Sequence, residues 1–201
     1  MLDGTAFKIP RFLFRTAKSI FRSVPELPLR GASLLKFAAA LYMFQRNVGE
    51  LMICIGPSML PTLSADGDVV ILEHLTPQLR EVERADVIVA VSPQNPRMSV
   101  CKRVIALSGE KVSVSNKTAD RIEESHPELV RRGSLVSFIA IPQGHVWLEG
   151  DNPANSTDSR QYGPVPVSLI RGRVLYRILP LENAGHIAPP PADLGKASST
   201  T

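Results

Sequence analysis

Short apolar runs separated by glycine and proline are the feature of this sequence that most limits its fold. Residues 68–72 form one β-branched run after an Asp-Gly turn, and residues 86–91 form another that ends at Ser-Pro. Runs of this length between turn residues predict strands. Further strands are predicted at 99–107, 111–114, 135–141, 145–148 and 169–179. Because strands and helices do not alternate as in a parallel sheet, the sequence predicts a mainly β, antiparallel domain.

Two short segments of this domain are predicted to be helical, residues 78–85 and 119–131, and the second is equally compatible with a loop. The chain has 201 residues, of which 44% are hydrophobic and 21% charged. This is enough for one globular domain with appendages. The two cysteines, Cys54 and Cys101, do not form a CxxC pair and are too few for a disulfide scaffold, so we interpret them as isolated thiols.

The charge and the histidines exclude two classes of function. Much of the net charge of +4 lies near the N-terminus, which argues for a targeting segment rather than a nucleic-acid surface. The four histidines have no zinc-binding spacing, so we expect no metal and no cofactor.

Both ends of the chain are predicted to lie outside the folded domain. Acidic residues are scarce in residues 1–31, where basic residues recur at the helical intervals of three and four: Lys8, Arg11, Arg15, Lys18 and Arg22. A basic amphipathic segment of this kind is typical of mitochondrial targeting, although a solvated basic helix or a disordered arm is an alternative. Clustered proline and low hydrophobicity predict a disordered tail over residues 181–201.

Residues 32–55 are predicted to form a membrane-associated helix that precedes the domain. A spanning helix needs about 20 mostly apolar residues, and Lys36, Arg46 and Glu50 interrupt this segment. A charge near the helix centre costs about 3 kcal/mol to insert. Because Arg46 and Glu50 are four residues apart, they can pair on one helix face and reduce that cost. Hydropathy therefore leaves an interfacial and a spanning helix both open.

A serine between two prolines is the candidate nucleophile. The stretch G-P-S-M-L-P-T occupies residues 56–62. Proline fixes its own φ and restricts the preceding residue, so Pro57 and Pro61 stiffen the backbone around Ser58. A serine hydroxyl needs an adjacent base at neutral pH. No histidine stands in a suitable motif, but Lys102 lies in the strand-like stretch C-K-R-V-I-A-L, and Ser-Lys is a known variant of the catalytic triad.

Strand alternation suggests how Lys102 becomes a base. Lys102 and Val104 share one face of the predicted strand, and Cys101 and Arg103 share the other. Burial among apolar neighbours disfavours the charged form of a lysine and lowers its pKa. A lysine with a lowered pKa can act as a general base. From the residues alone, a solvated basic pair of Lys102 and Arg103 is the alternative.

These two stretches and a third block resemble the type I signal peptidases. The third block, W-L-E-G-D-N-x-x-N-S-T-D-S-R-x-Y-G-P, occupies residues 147–164. The three blocks occur in the family's order, the resemblance covers about residues 50–180, and it is closest to the mitochondrial inner-membrane members. It implies a signal-peptidase-like catalytic domain at 50–180, preceded by a membrane anchor. It also implies amide hydrolysis with Ser58 as nucleophile and Lys102 as general base.

The resemblance implies roles for further residues. The main-chain N–H of Ser58 would stabilise the oxyanion, Ser156 would hydrogen-bond the lysine, and Asp158 and Arg160 would form an ion pair nearby. Substrate pockets for small side chains would be lined by Ile55, Met59, Val87 and Val89.

The sequence departs from the family pattern at two positions. Some relatives carry a second oxyanion donor, a hydroxyl, two residues before the nucleophile, and this position is Gly56 here. Ala85 replaces a glycine in a turn before a strand, which we expect to be tolerated only if its φ is negative.

The resemblance also implies a cellular setting. The partners would be a homologous second catalytic subunit, the membrane and precursor proteins, at the mitochondrial inner membrane with the catalytic domain facing the intermembrane space. One alternative is a soluble, self-cleaving Ser-Lys protease of the repressor type, which would need a DNA-binding domain, and we find no helix-turn-helix pattern before Ser58. The other is a non-catalytic scaffold subunit, which would have no chemical need to keep both Ser58 and Lys102.

Overall fold

The computed structural model describes residues 29–47, 49–75, 81–134, 136–187 and 189. Residues 1–28, which form most of the predicted targeting segment, lie outside the described residues. The chain divides into one unit that ends at Arg46 and a second that begins at Asn47. The helices are α1 (Leu29–Asn47), α2 (Asn116–Ser125) and α3 (Ser159–Tyr162).

Helix α1 carries exposed apolar side chains, among them Leu34 and Phe37, which are 70% and 68% exposed. Among the described residues, no helix is both long enough and apolar enough to cross a bilayer. The prediction that the helix continues to residue 55 is wrong, because residues 49–54 form a strand. Their side chains alternate: Met52 and Cys54 pack against the core, whereas Leu51 and Ile53 are exposed. This period of two suits a sheet edge and not a helix.

The second unit is built mainly from short strands. In chain order the described strands are β1 (Gly49–Cys54), β2 (Asp68–Glu73), β3 (Val87–Val91), β4 (Ser99–Ala106), β5 (Lys111–Val114), β6 (Val130–Arg131), β7 (Ser137–Ala140), β8 (His145–Glu149), β9 (Val165–Pro166), β10 (Ile170–Leu179) and β11 (Gly185–His186). The strands predicted from the sequence are thus confirmed, apart from end residues.

The strands form two antiparallel sheets. The larger has the order β1-β2-β10-β3-β4-β8-β9, with β11 paired to β10, and the smaller has the order β5-β7-β6. Every described strand pair is antiparallel, so the predicted fold class is confirmed. The candidate base, Lys102, lies on β4 opposite Ile88 of β3.

Three apolar clusters form the core. One joins α2 to the smaller sheet and includes Ile122 and Trp147. A second lies against β3, β4 and β8. The third includes Met59 and Leu63, which are only 2% and 1% exposed, packed against β2 and β3. Because Met59 follows the candidate nucleophile directly and Leu63 lies a few residues further on, their burial anchors the Ser58 segment to the sheet.

The predicted helices were partly correct. Helix α2 begins and ends earlier than the predicted 119–131. It begins earlier because the Ser115 hydroxyl caps its start by accepting from the Thr118 N–H at 3.2 Å. The helix predicted over 78–85 is wrong for residues 81–85, which are not helical. Ala85 has a positive φ of 69°, so the expectation of a negative φ is also wrong. Residues 78–80 lie outside the described residues.

The prediction of a disordered tail is wrong for residues 181–187. Strand β11 pairs with β10, and the rings of Tyr176 and His186 meet edge-to-face with centroids 5.1 Å apart. Composition missed this because only two residues, Gly185 and His186, supply the pairing. Residues 188 and 190–201 lie outside the described residues.

Candidate active site

Ser58 lies in a tight 3-10 turn, Pro57–Met59, that is fastened to the segment after β8. The Asn152 side-chain Nδ2 donates to the Pro57 carbonyl at 3.0 Å. The Asn152 main-chain N–H donates to the Ser58 carbonyl, also at 3.0 Å. With Met59 buried beneath the turn, these two bonds fix the backbone from which the Ser58 hydroxyl projects.

Lys102 meets this hydroxyl from β4. Its Nζ lies 2.8 Å from Ser58 Oγ and 3.0 Å from the Cys101 carbonyl oxygen. Lys102 is only 4% exposed, and this burial lowers the pKa of its ammonium group. The structure therefore brings together a serine and a lysine predisposed to lose its proton, at a distance suited to proton transfer.

Asp158 and Arg160 form a paired group next to the dyad. Arg160 Nε donates to Asp158 Oδ1 at 2.8 Å. The Gly150 N–H and the Ser156 hydroxyl both donate to Asp158 Oδ2, at 2.9 and 2.6 Å. Burial alone would raise the pKa of Asp158, but these hydrogen bonds outweigh it and hold the pKa below its usual value. Asp158 is therefore a carboxylate at neutral pH.

Ser156 makes a different contact from the one that the family resemblance implied. Its single hydroxyl hydrogen goes to Asp158, while the described bonds of Lys102 go to Ser58 and Cys101. Ser156 nevertheless lies close to the dyad. A Cβ added at Gly150 would come within 2.3 Å of Ser156 Oγ and 2.5 Å of the Ser58 carbonyl oxygen. Glycine at 150 thus allows the loop after β8 to approach the Ser58 turn.

Sequence reasoning missed a buried ion pair that involves Arg103, the neighbour of Lys102 on β4. Arg103 Nε and Nη2 donate to the two oxygens of Asp151 at 2.8 and 2.6 Å. Their side chains are 2% and 0% exposed. Arg103 Nη1 also donates to the Ala85 carbonyl at 2.8 Å, and the Thr62 hydroxyl donates to Asp151. An arginine inside an apolar strand, with an aspartate next to Gly150, was the signal available in the sequence.

An apolar cavity of about 380 Å³ opens beside Ser58 and Lys102. Three of the predicted pocket residues, Ile55, Met59 and Val89, line it. Val87 instead lines a second cavity. Val89 pairs with Cys101 at the first cavity, whereas Val87 pairs with Arg103, two residues further along β4. The sequence did not identify several other wall residues: Met52, Cys54, Leu63, Met98, Val100 and Cys101.

Gly56 supplies no side chain for the second oxyanion donor that some relatives carry. A Cβ added at Gly56 would meet nothing within 4 Å, so the missing side chain leaves open space there. Ser64 lines the same cavity, but its hydroxyl hydrogen goes to Asp68. The Ser64 hydroxyl therefore does not donate into the cavity, and the Ser58 N–H remains the predicted oxyanion donor.

Comparison with known proteins identifies the family of this chain. A family model described as signal peptidase, peptidase S26, matches residues 31–179. The chain therefore belongs to the signal peptidase family, peptidase S26.

Particular relatives narrow the comparison. The chain is 46% identical to the mitochondrial inner membrane protease subunit 1 of Xenopus tropicalis, over 72% of this chain and 77% of that protein. It is 38% identical to the mitochondrial ATP-independent inner membrane protease subunit 1a of Arabidopsis thaliana, over 86% of this chain and 91% of that protein. It is also 34% identical to the mitochondrial inner membrane protease subunit 2 of Danio rerio, over 67% and 66%.

Proposed function

We propose that this signal peptidase family member is a serine endopeptidase in which Ser58 is the nucleophile and Lys102 the general base. The observation that carries the proposal is the 2.8 Å contact between Lys102 Nζ and Ser58 Oγ at a lysine that is only 4% exposed. A serine hydroxyl becomes an effective nucleophile only when a neighbouring base takes its proton.

The proposed reaction is amide hydrolysis through an acyl-enzyme. Neutral Lys102 takes the Ser58 proton while Ser58 Oγ attacks the scissile carbonyl carbon. The Ser58 N–H stabilises the resulting oxyanion. Protonated Lys102 then gives its proton to the leaving amine as the C–N bond breaks. Lys102 finally activates a water molecule that hydrolyses the ester, and Ser58 recovers its proton.

The charges around Lys102 fit this role. Burial is the main cause of its lowered pKa; the carboxylate of Asp158 acts in the opposite direction, and Arg160 offsets that carboxylate. Asp158 accepts hydrogen bonds from Arg160, Gly150 and Ser156. These donors compensate much of its negative charge and so weaken its effect on the pKa of Lys102. Ser156, Asp158 and Arg160 are therefore proposed to support the dyad rather than to react.

The apolar cavity beside Ser58 supports a substrate that presents small apolar side chains in an extended segment. The relatives' names place them at the mitochondrial inner membrane as numbered subunits. We therefore propose that the chain removes sorting peptides from precursors at that membrane, facing the intermembrane space and paired with a homologous second subunit. The exposure of Leu51, Ile53 and Ile55, at 67%, 63% and 78%, supports membrane contact beside the site.

The proposal is tested by co-expressing the chain with a subunit 2 relative in membranes and following the cleavage of a precursor. Ser58→Ala and Lys102→Met should each abolish processing. Lys111→Met is the matched control, because Lys111 is an exposed lysine on β5. Normal processing by Ser58→Ala would assign the activity to the partner and leave this chain a scaffold subunit. Retained activity in Lys102→Met alone would refute the Ser-Lys assignment.

A further inference from the structure

The two cysteines of the chain meet at the substrate cavity. Cys54 lies on β1 and Cys101 on β4, with three strands, β2, β10 and β3, between them in the sheet order. The two thiols nevertheless line the same cavity, close enough for each to shift the pKa of the other. Both are half-buried, both are unbridged, and both pack against the cluster that contains Met59 and Leu63. The sequence-based interpretation of two free thiols is confirmed, but the sequence did not predict that they share one cavity.

We propose that a disulfide oxidant joins Cys54 and Cys101 in a disulfide bond. This bond links β1 to β4 and reversibly blocks the cavity beside Ser58. The inhibitory consequence rests on the proposed protease function, whereas the bridging chemistry does not.

The two thiols are suited to different steps of thiol–disulfide exchange. Their mutual hydrogen bond lowers the pKa of Cys54 and raises the pKa of Cys101. The thiolate is the reactive form of cysteine, so Cys54 is the attacking group. Both thiols line the open cavity, through which an oxidant can reach them.

The exchange is balanced in two steps. The Cys54 thiolate attacks one sulfur of a disulfide R–S–S–R, and one thiol RSH leaves with the Cys54 proton. The Cys101 sulfur then attacks Cys54 Sγ, loses its own proton, and expels the second RSH. Both cysteines are oxidised by two electrons in total, and the oxidant is reduced to two thiols.

A bridge at this place would affect both substrate entry and the base. Cys54 and Cys101 stand on opposite strands of the cavity wall, so a covalent link prevents those strands from separating around a substrate segment. The Cys101 carbonyl also accepts a bond from Lys102 Nζ at 3.0 Å. A shift of the Cys101 backbone would therefore move the lysine away from Ser58. We expect at least a tenfold loss of cleavage rate, recovered on reduction, because small misplacements of reacting groups cost about 10²-fold.

The test treats the full chain, purified with its partner subunit, with oxidised glutathione. Because the chain contains only two cysteines, an intact mass that is lower by two hydrogens identifies this bridge without any activity measurement. Dithiothreitol should restore both the mass and the cleavage rate. In Cys101→Ser the glutathione adduct should persist on Cys54, since nothing resolves it. Each protein is compared with itself before and after oxidation.

The outcomes separate the two proposals. A wild-type chain that keeps two free thiols, or that retains a glutathione adduct, would overturn the bridging site. A fully bridged chain that cleaves at the reduced rate would overturn the block of the cavity. A chain that forms the bridge but is inactive even when reduced would leave the thiol site standing and contradict the protease function.

Discussion

Replacing Arg103 by methionine should be among the most destabilising single changes in this chain. Arg103 makes two hydrogen bonds to Asp151, at 2.8 and 2.6 Å, and both side chains are almost completely buried. The variant keeps the length and apolar stem of the side chain but leaves the Asp151 carboxylate without its cation. Breaking a buried pair in this way costs about 3–5 kcal/mol, against a typical total stability of about 5–15 kcal/mol.

The matched control is Arg84→Met, which makes the same chemical change in an exposed pair. Arg84 Nε lies 3.0 and 3.1 Å from the two carboxylate oxygens of Glu110, but these side chains are 37% and 32% exposed. A surface pair of this kind contributes about 0–1 kcal/mol. The two variants therefore separate the effect of burial from the effect of removing an arginine.

Urea unfolding followed by tryptophan emission measures both changes. Trp147 is the chain's one tryptophan and is fully buried, so its emission reports on the β domain. The double variant Arg103→Met with Asp151→Asn should lose less than the sum of the single losses, because neither charge is then left alone. A loss for Arg103→Met no larger than that for Arg84→Met would refute the argument that the buried pair holds these segments together.

Three further predictions concern the turn at 85, the base and the close approach at 150. Ala85→Gly should raise the free energy of unfolding by up to about 1 kcal/mol. The positive φ of 69° costs alanine about 1–2 kcal/mol, and the greater entropy of glycine in the unfolded chain offsets only part of the gain from removing this strain. Ala184→Gly, at a φ of −63°, should instead lower it by about 0.4–1 kcal/mol, and equal urea midpoints for the two variants would contradict this account. The single-turnover cleavage rate should rise with pH as Lys102 loses its proton, with a midpoint below the value of about 10.4 for a free lysine, since burial disfavours its charged form. A midpoint at the free-lysine value would contradict a buried base. Gly150→Ala should reduce the cleavage rate by about 10²-fold, because the added Cβ would lie 2.5 Å from the Ser58 carbonyl oxygen and displace the Ser58 turn. Circular dichroism should show an intact fold. An unchanged rate would show that the loop can move away.

The strands and the antiparallel class were predictable because their signals are local. Period-two alternation and turn residues identify a strand such as β3 without knowledge of its neighbours. The sequence prediction failed where it treated two adjacent apolar runs as one long helix. The apolar residues 51–55 were joined to the preceding helix, although their alternation is that of the edge strand β1. The pairing of Gly185 and His186 with β10 escaped prediction because two residues carry no periodic signal.

The candidate site was predictable only where a motif names its residues. Ser58, Lys102 and Asp158 came from blocks whose order is specific. Ser58 and Lys102 line one cavity, and Asp158 accepts a hydrogen bond from Ser156. Contacts between distant segments have no such signature. The two thiols line one cavity although three strands separate β1 from β4 in the sheet order, and the Arg103–Asp151 pair joins two segments 48 residues apart.

Two adjacent basic residues on β4 illustrate why the environment, and not the residue type, sets the chemistry. Lys102 and Arg103 are both nearly buried, at 4% and 1% exposure, and point to opposite faces of the strand. Arg103 faces a carboxylate, and a guanidinium retains its charge under all ordinary conditions. The described hydrogen bonds of Lys102 go instead to a hydroxyl and a carbonyl oxygen. Burial without a directly bonded counter-ion favours the neutral amine. Among the described residues no carboxylate is bonded to Lys102 Nζ, and this supports the proposed role of Lys102 as the base for Ser58.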